Sequence, residues 1–346
     1  MAGGTFGLQW HLTDACDQRC GHCYLFADGA RHTDSVSWTE IRDVLANAQD
    51  LCDVLDVSPV FFLTGGDPLL HPRFWDLAAL LHERGIAFHV LGNPFHLTTG
   101  QAKILAALGC EGYQVSLDGL KETHDALRRP GSYDATLAAL ERLKAAGLPS
   151  HVMVTVSGTN AAELPDLLRV IAQAGADHAA FARWCPADGP GDNGLTPRGY
   201  RELLVRCREV ILDLKAQGFP TVFHKKDHLW TLLDFEEGRL PAPEPGAPVS
   251  DGCHCGLSHL TILPNGDVMA CRRVPGSVIG NAFETRLLDL WKQAMRPYRQ
   301  YDRFKACASC PLLSVCRGCP AAAAAAHGSF YAPDPQCWRA AESARS

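Results

Sequence analysis

At 346 residues the chain has room for about two domains with a sizeable core, and its 47% apolar and 20% charged residues are ordinary for a globular enzyme. A net charge of −6, with basic residues neither in excess nor gathered in long runs, speaks against a nucleic-acid partner. No apolar run approaches the roughly 18–20 residues that span a bilayer, and the first residues lack the charged and apolar regions of an export signal, so a cytoplasmic protein with no membrane partner is expected. Fifteen cysteines, an odd number at tight spacings, then point to metal or cluster ligation in a reducing compartment and not to disulfides.

From residue 6 to about 220, short β-like runs (6–12, 60–63, 87–91, 112–116, 151–156 and 178–184) alternate with amphipathic stretches such as 38–51, 73–84, 102–108, 133–146 and 163–173. Several of these stretches close on a glycine (Gly85, Gly109, Gly147, Gly175), as helix C-caps often do. Repeated βα units imply a parallel sheet with helices outside it. Six units predict an α/β fold, a partial (β/α)6 TIM-like barrel over 1–220, with functional residues at the C-terminal ends of the strands.

Behind the first run stands Cys16-Asp-Gln-Arg-Cys20-Gly-His-Cys23. Its CxxxCxxC spacing gathers three thiolates in one tight loop. A cubane iron–sulfur cluster prefers thiolate ligands, so three of them leave one iron open. A structural zinc with His22 or Asp14 as fourth ligand reads the same residues differently. The second run ends in Thr64-Gly65-Gly66-Asp67-Pro68. Paired glycines at a strand end let the backbone approach a ligand closely, and a carboxylate behind them can take an ammonium group. The fourth run closes with Val115-Ser116-Leu117-Asp118-Gly119, followed by Glu122, His124, Asp125 and Arg128. Arg183-Trp184-Cys185-Pro186 ends the sixth, which turns Cys185 toward the barrel mouth as a candidate for a substrate or radical role, against a default of packing. Cys52, Cys110 and Cys207 lie on or just after helical stretches and read as small buried hydrophobes.

Residues 221–252 break the alternation, and their proline-rich run from Leu240 reads as a linker or covering segment. A small cysteine-rich domain over 253–346 then carries Cys253, Cys255, Cys271, Cys307, Cys310, Cys316, Cys319 and Cys337, with little regular structure expected. Pro264-Asn-Gly-Asp267 between 261–263 and 268–270 signals a hairpin; 287–295 suits a short helix, as does the alanine run 321–326. A zinc ribbon fits poorly, because its cysteine pairs sit far apart whereas five residues separate Cys310 from Cys316.

The triplet together with Gly65-Gly66-Asp67-Pro68 resembles the radical S-adenosylmethionine superfamily, and the later spacing, with Gly266 ahead of Cys271, resembles its SPASM domain. The resemblance implies a [4Fe–4S] cluster on Cys16, Cys20 and Cys23 that binds S-adenosylmethionine. His22, Gly65, Gly66, Asp67 (in place of the usual Glu), Ser116 and Arg128 would contact that cofactor. It further implies up to two auxiliary clusters, one on Cys253, Cys255, Cys271 and Cys319, the other on Cys307, Cys310, Cys316 and Cys337. Three departures stand out. Leu91-Gly92-Asn93-Pro94 replaces the Thr-Asn-Gly of many relatives, Cys319 follows Cys316 by CxxC, and the CxC of Cys253 and Cys255 leaves open whether both bind.

In such enzymes reductive cleavage of S-adenosylmethionine gives a 5′-deoxyadenosyl radical that abstracts hydrogen from a C–H bond. The expected substrate is a ribosomally made peptide or small protein that receives a crosslink, thioether or related modification. A separate leader-recognition protein is expected because the chain starts directly at its first strand, and flavodoxin or ferredoxin is the expected reductant. Sulfatase-maturing relatives carry an aspartate base after the cysteine matching Cys271; Arg272 and Arg273 stand there, which disfavours that activity and leaves Arg272 as a candidate catalytic residue. The rival readings are an enzyme acting on a small molecule (a tetrapyrrole side chain or sugar), a zinc-binding scaffold and an electron carrier.

Overall fold

The computed structural model describes residues 4–26, 35–187 and 191–343. Strand β1 (Thr5–His11) buries Phe6, Leu8 and Trp10 on one face, the period-2 pattern of a strand packed against helices. Helix α1 (Trp38–Leu55) follows, started by a capping box in which Ser37 Oγ accepts from the Glu40 amide and the Glu40 carboxylate accepts from the Ser37 amide. The alternation continues through β2 (Ser58–Thr64), α2 (Phe74–Glu83), β3 (Ala87–Leu91), α3 (Thr99–Ala107), β4 (Gly112–Ser116), α4 (Lys121–Leu127), α5 (Ser132–Ala146), β5 (Ser150–Val156), α6 (Leu164–Gln173) and β6 (His178–Arg183). Helix α6 shows how the helices attach: Leu164, Leu167, Leu168 and Ile171 fall at helical spacing and are all buried.

Beyond β6 the structure corrects the sequence reading. After α7 (Pro197–Ala216), the supposed linker 221–252 holds a seventh strand, β7 (Val222–His224), parallel to β6, and helix α8 (Leu229–Glu236). Strands β1 to β7 form one parallel sheet in sequence order. The expected hairpin is present as β8 (His259–Ile262) and β9 (Asp267–Met269), joined by an unforeseen third strand, β10 (Val278–Asn281). Strand β8 pairs parallel with β1, so the C-terminal region extends the barrel sheet in the order β10-β9-β8-β1-β2-β3-β4-β5-β6-β7. The short helix expected at 287–295 is α9 (Leu287–Asp289), running into one π-helical turn at Leu290–Ala294. The alanine run lies in α10 (Pro320–His327), and α11 (Trp338–Ser343) closes the chain.

The sheet face away from the helices is more polar. A row of rings crosses it, with His89 stacked on Phe62 (centroids 5.1 Å apart) and His151 stacked on His178 (4.6 Å). Gly112 of β4 makes the row possible, since a Cβ there would lie 2.5 Å from His151 Nε2. Among the described residues no helix is long and apolar enough to cross a membrane.

Candidate active site at the strand ends

The cysteine loop after β1 is held by the end of β2 through main-chain bonds. Leu12 N–H donates to Thr64 O (2.9 Å), Gly66 N–H to Thr13 O (2.7 Å) and Asp67 N–H to Ala15 O (2.8 Å). A Cβ on Gly65, whose φ is +140°, would sit 2.2 Å from Thr13 O, and one on Gly66 would sit 2.2 Å from Ala15 O. The close approach that these glycines allow is taken up by the carbonyls of the cysteine loop. Inside the loop Cys23 N–H donates to Cys20 O (3.0 Å) and Gln18 N–H to Cys16 Sγ (3.4 Å). All three thiols are half-buried. Burial pushes Cys16 up to about 11 and also raises Cys20 and Cys23, so these thiols keep their protons until a metal displaces them.

Asp67 lies beside the loop with no exposed surface. Its Oδ1 accepts from the Leu69 amide at 3.0 Å, while its buried Oδ2 has no partner of good geometry. Burial pushes this carboxyl up to about 6, against the amides and His96, which favour the anion. A buried acceptor left unsatisfied is costly, and a carboxylate oxygen of this kind fits an ammonium group.

Asp118, which follows Ser116 at the end of β4, is the acid that organises the site, and sequence reasoning passed over it. Its Oδ2 meets Arg128 Nε at 2.6 Å and His22 Nε2 at 3.1 Å, and its Oδ1 accepts from the Thr155 amide at 2.7 Å. Burial opposes its ionisation, yet Arg128, His22 and Thr155 outweigh it and hold the carboxyl well below the usual range. The Asp118 amide in turn donates to His124 Nδ1 (2.9 Å), and its carbonyl accepts from Asn160 Nδ2 (2.6 Å). Arg128 also reaches Cys20 Sγ at 3.7 Å. The structure therefore unites His22, Arg128 and the cysteine loop through one carboxylate. Ser116 stands beside them, half-buried, with its carbonyl taken by Thr136 Oγ1 at 3.4 Å. His22 Nδ1 is buried and unpartnered. The signal was present in the Ser-Leu-Asp-Gly run, but an aspartate at a strand end also reads as a turn residue.

The eight later cysteines separate into two neighbourhoods. Cys253 lies within electrostatic reach of Cys271 and Cys319, and Cys255 of Cys253 and Cys271. Cys307 neighbours Cys337 and Cys310, while Cys316 neighbours Cys307 and Cys337. Burial raises Cys253 and Cys307 to about 12. Among the described residues no three His, Cys, Asp or Glu side chains gather tightly enough for a single metal ion; a four-iron cube spreads its thiolates over its corners. Cys52, Cys110 and Cys207 are buried in the core as expected.

Arg272 Nη1 donates to Gln9 Oε1 on β1, its Nε is buried without a partner, and its guanidinium lies 5.9 Å from the Tyr24 ring. Lys226 is exposed, yet desolvation by the surrounding protein, with Arg272 and Arg273 nearby, lowers it to about 8. These cations thus crowd together between the first cysteine loop and Cys271. Arg183, unremarked in the sequence, ties β6 to the C-terminal segment. It meets Asp227 Oδ2 at 2.9 Å, Asp334 Oδ1 at 2.6 Å and Gln336 Oε1 at 2.8 Å, with its side chain only 1% exposed.

Residues 10–171 match the Radical SAM superfamily and residues 253–320 the SPASM iron–sulfur cluster-binding domain. Mycofactocin maturase MftC of Mycobacterium ulcerans is 30% identical over 349 residues, covering 95% of this chain and 87% of that one. The AdoMet-dependent heme synthase of Methanosarcina barkeri is 26% identical over 347 residues, covering 95% of each. Among solved structures, anSMEcpe with bound AdoMet superposes with a TM-score of 0.74 at 16% identity, covering 97% of this chain and 95% of that one. Streptococcus suis SuiB bound to its precursor peptide SuiA gives 0.73 at 20% identity, covering 96% and 75%.

Proposed function

The chain belongs to the radical SAM superfamily and carries a SPASM iron–sulfur domain, and from that membership we propose that it oxidatively modifies a ribosomally made peptide. It is a radical SAM enzyme whose cofactors are [4Fe–4S] clusters and S-adenosylmethionine. When bound at the first cysteine loop and reduced, they supply a 5′-deoxyadenosyl radical that takes hydrogen from a substrate C–H bond. Cys16, Cys20 and Cys23 hold the first cluster in this reading. The free Oδ2 of Asp67 receives the methionyl ammonium, and that unsatisfied oxygen is the observation that carries the cofactor assignment. Asp118 keeps His22 and Arg128 in place beside Cys20. Ser116, at the neighbouring strand end, completes the nucleoside side.

The peptide reading is supported by the likeness over 95% of the chain to a mycofactocin maturase. The cluster-loaded protein, given dithionite, S-adenosylmethionine and short peptides encoded at the same locus, should release 5′-deoxyadenosine and change the mass of one peptide. Release of 5′-deoxyadenosine with every peptide unchanged would sink the peptide reading and leave the radical chemistry standing.

A small acidic molecule is the second reading. Arg272, whose buried Nε has no acceptor, and Lys226, whose charged neighbours are cations, favour a carboxylate-bearing substrate such as a tetrapyrrole side chain. The 26% identity to a heme synthase points the same way. Arg272→Gln should then raise KM for the acid several-fold and spare uncoupled 5′-deoxyadenosine release.

A further inference from the structure

Cys185, just after β6, is 4% exposed and packs with Cys319 and with Ala321, Ala322 and Ala325 of α10; Cys271 lies against the same group. One guanidinium reaches two sulfurs: Arg273 Nη1 is 3.6 Å from Cys185 Sγ and Nη2 is 3.4 Å from Cys319 Sγ. The Cys185 thiol also hydrogen-bonds to Cys319. Five thiols therefore surround a place where a cubane uses four. Arg273 has Cys319, Cys185, Cys271 and Cys253 within its electrostatic reach, whereas Cys255 neighbours Cys253 and Cys271. A buried cation between two sulfurs requires negative charge there, and iron-bound thiolates provide it. A cysteine that served only to pack would need no guanidinium on its sulfur.

We propose that Cys185 supplies the fourth thiolate of the first auxiliary cluster, beside Cys253, Cys271 and Cys319, and that Cys255 lies outside the ligand set. Ligation forms one Fe–S bond, releases the Cys185 thiol proton to solvent and transfers no electron. It fastens the cluster directly to the end of a barrel strand, where a substrate radical would deliver its electron. The proposal rests on the SPASM domain carrying that cluster.

Anaerobic reconstitution of the full chain with iron and sulfide, followed by iron analysis and EPR of the reduced protein, tests it. The unaltered chain should bind about twelve irons as three cubanes. Cys255→Ala should keep them all, and Cys185→Ala should lose about four together with one auxiliary signal. Cys185→Ser, which offers an oxygen ligand, should keep the iron with shifted g values. Full iron and unchanged spectra in Cys185→Ala would overturn the assignment. So would loss of the first cluster's S-adenosylmethionine-dependent signal in both Cys185 variants, since that marks a packing residue. About four irons in the unaltered chain would remove the auxiliary cluster itself, a failure distinct from a wrong ligand.

Discussion

The first cysteine loop and the C-terminal cysteines are held by different means. Around Cys16, Cys20 and Cys23 the loop is shaped by backbone, carbonyls of Thr13 and Ala15 pressed onto two glycines, with a single ion pair, Asp118 and Arg128, beside Cys20 and all three thiols half-buried. In the C-terminal region the shaping is done by charged side chains. Arg183 joins Asp227 and Asp334, Arg273 bridges two sulfurs, and Arg317 donates to the carbonyls of Asp251 and Cys253. Cys255, Cys316 and Cys319 are buried, while the other five are half-buried like the first three. A site that must admit a ligand leaves its surroundings open and takes its shape from the main chain. A site that only exchanges electrons can be closed over by cations, which offset the charge of thiolate-bound iron.

The sharpest way to break this comparison is Cys20→Ala. It should reduce 5′-deoxyadenosine formation below detection and remove about four of about twelve irons, with the auxiliary EPR signals unchanged. Next come two matched lesions of buried ion pairs, Asp118→Asn and Arg183→Met. Each removes one partner and should cost roughly 3–5 kcal/mol of stability, read as a lowered unfolding midpoint. They should separate in function: Asp118→Asn weakens S-adenosylmethionine binding by releasing His22 and Arg128, while Arg183→Met leaves it intact and loosens the C-terminal clusters. Equal effects on cofactor affinity would erase the distinction. Gly66→Ala should cost about 1–3 kcal/mol through forced displacement of the loop and should broaden the first cluster's EPR signal alone.

A further effect is on pH. His124 accepts the Asp118 amide at Nδ1, and burial lowers its pKa from 6.5 to about 4. Between those values the unfolded chain binds the extra proton, so stability falls as pH drops from 6.5 toward 4, by up to about 1.4 kcal/mol per unit. His124→Gln should flatten that slope in equilibrium unfolding measured across the range.

Much of this was legible where the signal is local. The strand runs, the glycine-ended helices, the cysteine triplet and the hairpin at Asn265-Gly266 rest on spacing and turn chemistry, and they lie where expected. What escaped is set by tertiary contact. Strand β7 has three residues, too few for periodicity to register, and its proline-rich sequel drew the whole segment into a linker. The meaning of Asp118 depends on Arg128 and His22, brought from other segments, and that of Arg183 on carboxylates at 227 and 334. Gly65 and Gly66 do allow a close approach, and the group that the fold brings against them is the protein's own cysteine loop, a contact no local pattern shows.

The pairing of β1 with β8 has a consequence in time. Gly7 lies opposite His259 and Trp10 opposite Ile262, so one margin of the strand that leads into the first cysteine loop stays uncovered until nearly three-quarters of the polypeptide has left the ribosome. At about 5–20 residues per second that interval lasts roughly ten to fifty seconds, long enough for an unpaired apolar margin to find a neighbour on another nascent chain. Slower translation should therefore lower the soluble yield unless chaperones shield that margin.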